Sequence, residues 1–372
     1  MATKKLNVAF IGTGIMGAPI AGHILDMGYP LTVFNRTKSK AEGLLAKGAV
    51  WADSPSAAAE GADVVFTMVG YPADVEEIYL SGTGLLACAK EGAYLIDLTT
   101  SAPELARDIA GAAEVCGKHA FDCPVTGGES GAIAGTLTAI VGATERDIEP
   151  VRELLETFTS KIFCFGGAGK GQAAKLSNQV ALASSMVGMA DALSFAQQND
   201  LDVEQVREMI CSGTGSTGAM ATLAPKALDG DFKPGFLVEH FLKDLGLALS
   251  VAEEKELALP GADTAFTLYD MLEAIGGARM GTQAITLLYQ EEADAVAAGL
   301  DWSLYTAAHE HDDECGCGHD HEDRECGCGH DHEDEHECQC GHNHDEDHEC
   351  CGGHGHGHGE GHECRCGGHH EE

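Results

Sequence analysis

The chain has 372 residues and a formal net charge of −38 at pH 7. That excess of acid argues against a nucleic-acid partner, itself a polyanion. No apolar run reads as a membrane span, and the opening Met-Ala-Thr-Lys-Lys leads into a strand rather than a signal peptide, so a cytoplasmic protein with no membrane partner is expected.

In chain order, residues 6–11 form a short apolar run ending in Gly12-Thr13-Gly14-Ile15-Met16-Gly17, and a helical stretch follows to about residue 27. A second strand is predicted over 31–34, with further buried strands at 63–68, 94–97 and 119–122 and Ala-rich helical segments between them. This alternation predicts an α/β Rossmann-type doubly wound parallel sheet over residues 1–165. Five cysteines lie in the body (Cys88, Cys116, Cys123, Cys164, Cys211), without pairing logic, and read as reduced core residues.

Beyond residue 165 the strand pattern stops. Residues 170–198 read as one long Ala/Met/Leu-rich helix, low in charge and therefore largely buried. Further helical patterns run over 203–211, 217–228, 237–255, 262–274 and 283–299, with breaks at Gly213-Thr-Gly215, Pro234-Gly235, Pro260-Gly261 and Gly276-Gly277. An all-α domain over 166–305 is expected to close over a site in the cleft between the two domains.

The glycine spacing has a physical reason. Gly12 permits a tight turn out of the strand, Gly14 lets backbone approach a pyrophosphate, and Gly17 lets the helix pack on the sheet. The helix N-terminus then offers free N–H groups to the anion. At the end of the second strand, where a carboxylate would grip the adenosine ribose of NAD, stand Asn35, Arg36 and Thr37. No acid repels a 2′-phosphate there and Arg36 could pair with one, so NADP is favoured over NAD.

Five motifs, in order, carry a resemblance. Gly12-Thr-Gly-Ile-Met-Gly-Ala-Pro-Ile-Ala21 looks like the opening of the β-hydroxyacid dehydrogenases, among them 3-hydroxyisobutyrate dehydrogenase, tartronate semialdehyde reductase and 2-(hydroxymethyl)glutarate dehydrogenase. Asp97-Leu-Thr-Thr100-Ser-Ala-Pro103 is similar to the family's stretch near the nicotinamide, and Asp122-Cys-Pro-Val-Thr126-Gly127-Gly128 to its substrate-binding segment. Gly169-Lys-Gly-Gln-Ala-Ala-Lys175-Leu-Ser-Asn178-Gln179 resembles the segment with the catalytic lysine, and Phe241-Leu-Lys243-Asp244 the late Lys-Asp pair. The likeness spans about residues 5–305. It implies that Met68 and Val69 form a turn beside the cofactor and that Thr100 lies near the nicotinamide. Lys243 would line the site near the cofactor, held by Asp244. It also implies a homodimer or homotetramer packed through the helical domain.

Hydride transfer between an alcohol and nicotinamide needs a group that accepts the hydroxyl proton and returns it in reverse. The body has three histidines, His23, His119 and His240, and none sits in a motif. Lys175 is the candidate instead, because burial in an apolar helix lowers an amine's proton affinity. Asn178 and Gln179 follow it at i+3 and i+4, so all three can face one cleft. Thr126, Gly127 and Gly128 offer a hydroxyl and unobstructed N–H groups to a substrate carboxylate. Threonine where the family commonly has serine adds a methyl group, which leaves the exact hydroxy acid or semialdehyde open.

The last segment, 306–372, is a different material. It holds 16 of the 19 histidines and ten of the 15 cysteines; with 21 acidic and two basic residues it carries −19 of the charge, leaving −19 to the body. With almost no apolar residues it is expected to be disordered. A unit recurs in it: Cys315, Cys317, His319, His321; then Cys326, Cys328, His330, His332; then Cys338, Cys340, His342, His344. Thiolates and imidazoles at this spacing predict adaptable sites for divalent zinc or nickel, without a part in the hydride step. Two other readings compete with a dehydrogenase: a metal-storage or metal-sensing protein on a dehydrogenase-like scaffold, and an imine reductase on the same fold, which would typically lack the lysine.

Overall fold

The computed structural model describes residues 5–304. The tail and every metal ligand predicted there, Cys315 to His344, lie outside the described residues.

Six parallel strands form the main sheet: β1 (Val8–Ile11), β2 (Leu31–Phe34), β3 (Val50–Trp51), β4 (Val64–Thr67), β5 (Tyr94–Asp97) and β6 (His119–Asp122). Their order is β3-β2-β1-β4-β5-β6. The order reverses between β1 and β4, so the glycine turn after β1 stands at the switch point where open α/β sheets bind ligands. All four residues of β1 and of β4 are buried, because helices cover both faces of the sheet. Five of these strands lie where the apolar runs predicted them. The two-residue edge strand β3 was too short to show a pattern.

A second, three-stranded sheet is a departure from expectation. The pair β7 (Val125–Thr126) and β8 (Leu137–Val141) is antiparallel, and β9 (Thr159–Cys164) joins β8 in parallel. Half-exposed β9 carries Ser160 and Lys161 on its outer positions, which blurred any apolar run.

After β9 the chain is helical, and the long helix occupies Lys170–Gln198 as predicted. Three boundaries differ. Pro225 opens a new helix and splits 217–228 into Gly218–Thr222 and Ala224–Leu228. Pro260 begins the helix Pro260–Ala274 instead of breaking one, since a first-turn proline gives up no hydrogen bond. The predicted 283–299 helix is a 3-10 segment, Thr282–Tyr289, followed by the short helix Glu292–Ala297.

The long helix has the length and apolar content of a membrane span, with a mean hydropathy of 1.2. Its buried side chains instead mark it as a core helix. Gln172, Lys175, Gln179, Ala183, Met186, Ala190 and Leu193 recur every three or four residues on one face. That face packs on helices Val238–Glu253 and Pro260–Ala274.

Its N-terminus is fixed to the sheet by a carboxylate from a distant strand. Asp122, at the end of β6, accepts from the Gly169 N–H at 2.8 Å and from the Gln172 N–H at 2.6 Å. Small residues make room for this contact: a Cβ on Gly142 would stand 2.0 Å from Asp122 Oδ1, and one on Gly171 2.6 Å from Gly142 N. Each buried donor left unpaired costs about 1–3 kcal/mol. Asp122→Ala is therefore expected to lower the unfolding free energy by about 2 kcal/mol or more in urea denaturation; a loss under about 0.5 kcal/mol would show that the helix does not depend on this cap.

Candidate active site

The glycine turn is built as its spacing demands. Gly12 has φ +98°, and a Cβ there would stand 2.1 Å from the Met68 carbonyl oxygen, so the turn after β1 lies directly against Met68 and Val69 at the end of β4. A Cβ on Gly17 would stand 1.9 Å from the Gly12 carbonyl oxygen, which closes the helix onto the turn. Gly14 is different: a Cβ there would meet nothing within 4 Å. Its smallness serves no packing, which fits a backbone kept clear for a pyrophosphate. The Thr13 hydroxyl beside it is buried and unpartnered. Ile15 and Met16 complete the turn, with Ile15 49% exposed. These residues fit a dinucleotide.

Asn35 braces that turn. Its Oδ1 accepts from the Thr13 N–H at 3.0 Å, and its Nδ2 donates to the Thr37 carbonyl at 2.9 Å. Arg36 is exposed and pairs at 3.2 Å with Asp74, a residue 38 positions on.

The loop after β5 is heavily tied. The Thr99 N–H donates to Asp97 Oδ1 at 3.0 Å, and Thr99 Oγ1 accepts from the Val69 N–H at 3.0 Å. Thr67 Oγ1 donates to Asp97 Oδ1 at 2.7 Å, and Tyr79 shares the Thr67 hydroxyl. Lys243 Nζ donates to the Thr100 carbonyl at 2.5 Å. Gln172, fully buried on the long helix, bonds both Thr99 and Ser101.

Lys175 lies one turn further along and is 8% exposed. Burial pushes its amine below the ordinary lysine range, the Asp244 carboxylate opposes that shift, and the Lys243 charge adds to it. Asp244 is buried, accepts from Gln179 Nε2 at 2.7 Å, and holds Oδ1 3.0 Å from Lys243 Nζ, close enough for ion pairing but off the hydrogen-bond direction. Gln179 in turn accepts from Asn178 Nδ2 at 2.9 Å. A polar chain thus runs from Asn178 through Gln179, Asp244 and Lys243 to Thr100. Asn178 itself is exposed, while Gln179 is spent on the network.

Thr126 is half-buried, and Gly127 and Gly128 are exposed with φ +130° and +63°. A Cβ on Gly128 would lie 3.9 Å from the Gly235 carbonyl, so the helical part of the chain faces this turn. Among the described residues no hydrogen bond joins Thr126 to Lys175.

Sequence reasoning missed Gln172 and the packing role of Asp122. The signal for Gln172 was its place three residues before Lys175; nothing local announced its partners. The histidines have structural contacts: His23 Nε2 meets the Ala132 carbonyl at 3.0 Å, and His119 stacks on Tyr94 at 4.6 Å. His240 is part-buried, 3.7 Å from Glu239.

Residues 7–166 match the NAD-binding domain of 6-phosphogluconate dehydrogenase, and residues 169–289 match the NAD-binding region of NADP-dependent 3-hydroxyisobutyrate dehydrogenase. An oxidoreductase of Bacillus subtilis, YkwC, is 45% identical over 285 residues, 77% of this chain and 99% of its own length. The chain belongs to the β-hydroxyacid dehydrogenase family. A mitochondrial 3-hydroxyisobutyrate dehydrogenase-like protein of Arabidopsis thaliana is 43% identical, across 76% of this chain and 85% of its own. The structure of Mycobacterium tuberculosis 3-hydroxyisobutyrate dehydrogenase with L-serine superposes with a TM-score of 0.72 at 31% identity, covering 77% of this chain and all of that one. An imine reductase from Myxococcus stipitatus shares the fold alone, at 21% identity and a TM-score of 0.52.

In this β-hydroxyacid dehydrogenase the loop after β5 rests on a titratable group. Burial pushes the Asp97 carboxyl up from 3.8 to about 6, against the hydrogen bonds from Thr67 and Thr99. Below 3.8 both folded and unfolded chains hold the proton. Between 3.8 and about 6 the unfolded chain ionises first, so stability falls as pH rises through that window. The fall attributable to this group is about 3 kcal/mol. Asp97→Asn is expected to remove that much of the difference in unfolding free energy between pH 4 and pH 7; an unchanged difference would assign it to other groups.

Proposed function

We propose that this chain is an NAD(P)-dependent oxidoreductase of short β-hydroxy acids and their semialdehydes, of the 3-hydroxyisobutyrate or 2-hydroxy-3-oxopropionate type, with Lys175 as general acid/base. The observation that carries the reading is the Lys175 amine, buried beside Asp244 on the helix that leads away from the sheet. Bound nicotinamide supplies the hydride acceptor. In oxidation of the alcohol the neutral Lys175 amine would take the hydroxyl proton, and in reduction the ammonium would return it to the carbonyl oxygen. Asn178 and the Thr126-Gly127-Gly128 turn hold the substrate, the turn offering N–H groups to its carboxylate. The L-serine in the Mycobacterium tuberculosis relative is itself a β-hydroxy acid, which supports this substrate class.

Gly12, Gly14, Ile15, Met16 and Gly17 would hold the dinucleotide's pyrophosphate, and Asn35, Arg36 and Thr37 its adenosine end. Met68, Val69, Thr100 and Lys243 would line the nicotinamide end. No acid stands at residues 35–37, which favours NADP. A screen of β-hydroxy acids and semialdehydes with both NADPH and NADH fixes substrate and cofactor together.

An apolar surface supports a homodimer or homotetramer. The helix Val203–Cys211 buries none of its nine residues; its Met209 is 60% exposed, and Phe195 and Leu201 before it are 70% and 50% exposed. A cytoplasmic location accords with five free cysteines among the described residues. The recurring Cys-x-Cys-x-His-x-His units of the tail bind zinc or nickel separately from the hydride step.

Lys175→Ala is expected to cut kcat by about 10²–10⁴-fold while leaving dinucleotide affinity nearly unchanged in a fluorescence titration; unchanged turnover would remove Lys175 from the mechanism. Deleting residues 306–372 is expected to abolish zinc and nickel binding in metal analysis and to spare turnover. Hydride transfer lost on truncation would make the metal catalytic.

A further inference from the structure

The side chain of Gln172 is not explained by helix packing alone. It is fully buried at the first turn of the long helix, where an apolar residue would meet no hydrogen-bonding obligation. Its Oε1 accepts from the Ser101 N–H at 2.9 Å, and its Nε2 donates to the Thr99 carbonyl at 2.7 Å. One carboxamide thus pairs with the two backbone groups that flank Thr100, as an opposed peptide unit would. The backbone N–H of the same residue donates to Asp122 Oδ2 at 2.6 Å, which anchors this helical turn to the end of β6. Only a side chain with one donor and one acceptor at amide spacing satisfies both loop groups.

We propose that Gln172 is a positioning residue that sets the distance between the Lys175 amine and the Thr99–Ser101 loop. The proposal rests on the reading of Lys175 as acid/base and of this loop as the wall facing the nicotinamide. Gln172 and Lys175 are three residues apart on one helix, about 4.5 Å along its axis, with no flexible segment between them. On the other side of Thr100, Lys243 Nζ donates to the Thr100 carbonyl and pairs with Asp244, the carboxylate that also acts on Lys175. The loop is therefore gripped from two helices, and both grips lead back to the same amine. Asp122, Gln172 and the loop register the helix against the sheet, so a loosened clamp shifts the proton acceptor relative to the hydride acceptor without removing either. A misplacement near 1 Å costs about 100-fold in rate.

The decisive variant is Gln172→Leu, which keeps volume and deletes both bonds. Amide hydrogen exchange of Ser101 in the cofactor-free protein is measured first, because it requires neither substrate nor dinucleotide. Exchange about tenfold faster than in the unaltered protein is expected, with the main-sheet amides unchanged. With substrate, kcat is expected to fall by about 100-fold, while the NADPH dissociation constant moves by less than about threefold. Gln172→Glu keeps the acceptor for Ser101 and loses the donor to Thr99; it is expected to fall between the two and serves if the leucine variant does not fold. Unchanged Ser101 exchange would overturn the clamp whatever the enzyme's substrate. Faster exchange with unchanged kcat would reduce Gln172 to a structural contact. Failure of Lys175→Ala to affect turnover would reject the catalytic reading instead, and Ser101 exchange would still decide the clamp.

Discussion

A buried ammonium needs a counter-charge or must give up its proton, and this site provides one carboxylate for two amines. Asp244 is buried, stands 3.0 Å from Lys243 Nζ and also acts on Lys175. Because Lys243 shares that charge, Lys175 is not fully compensated, and burial pushes its proton affinity down. Burial thus holds this amine below the ordinary lysine range, which eases the loss of its proton.

The rest of the described chain ties the helix that carries that amine to the sheet that carries the glycine turn. The parallel sheet places the glycine turn at its switch point, and Gly12 against Met68 fixes the turn to the neighbouring strand. Asp122 attaches the long helix to β6, on the same sheet. One path of contacts thus runs from the turn after β1 through the sheet to the helix that carries Lys175. The apolar surface around Val203–Cys211 lies at the far half of the long helix, away from this path.

Much of this was legible because the constraints are local. A glycine that must turn or must stay clear is written in three positions, and the long helix is visible in its continuous low-charge composition. Strands buried on both faces show as apolar runs. The second sheet escaped because β7 has two residues and β9 is half-exposed. Pro260 was misplaced because a proline signals a helix start as readily as a break. In the site, Lys175 was conspicuous as a lysine in an apolar helix. Gln172 was not, since its partners lie 71 and 73 residues earlier in the chain. Asp122 stood within a segment read as substrate-binding, yet its carboxylate is committed to the backbone of the long helix, a role no spacing could announce. Arg36 likewise has its contact 38 residues on, at Asp74.

The most direct measurement is an NMR titration of the Lys175 side chain in isotopically labelled protein, with the resonance assigned by its loss in a Lys175 variant. The account predicts an amine that titrates below the other lysines and falls further when Asp244 is replaced by asparagine. A Lys175 amine that titrates together with the surface lysines, and ignores that replacement, would contradict it.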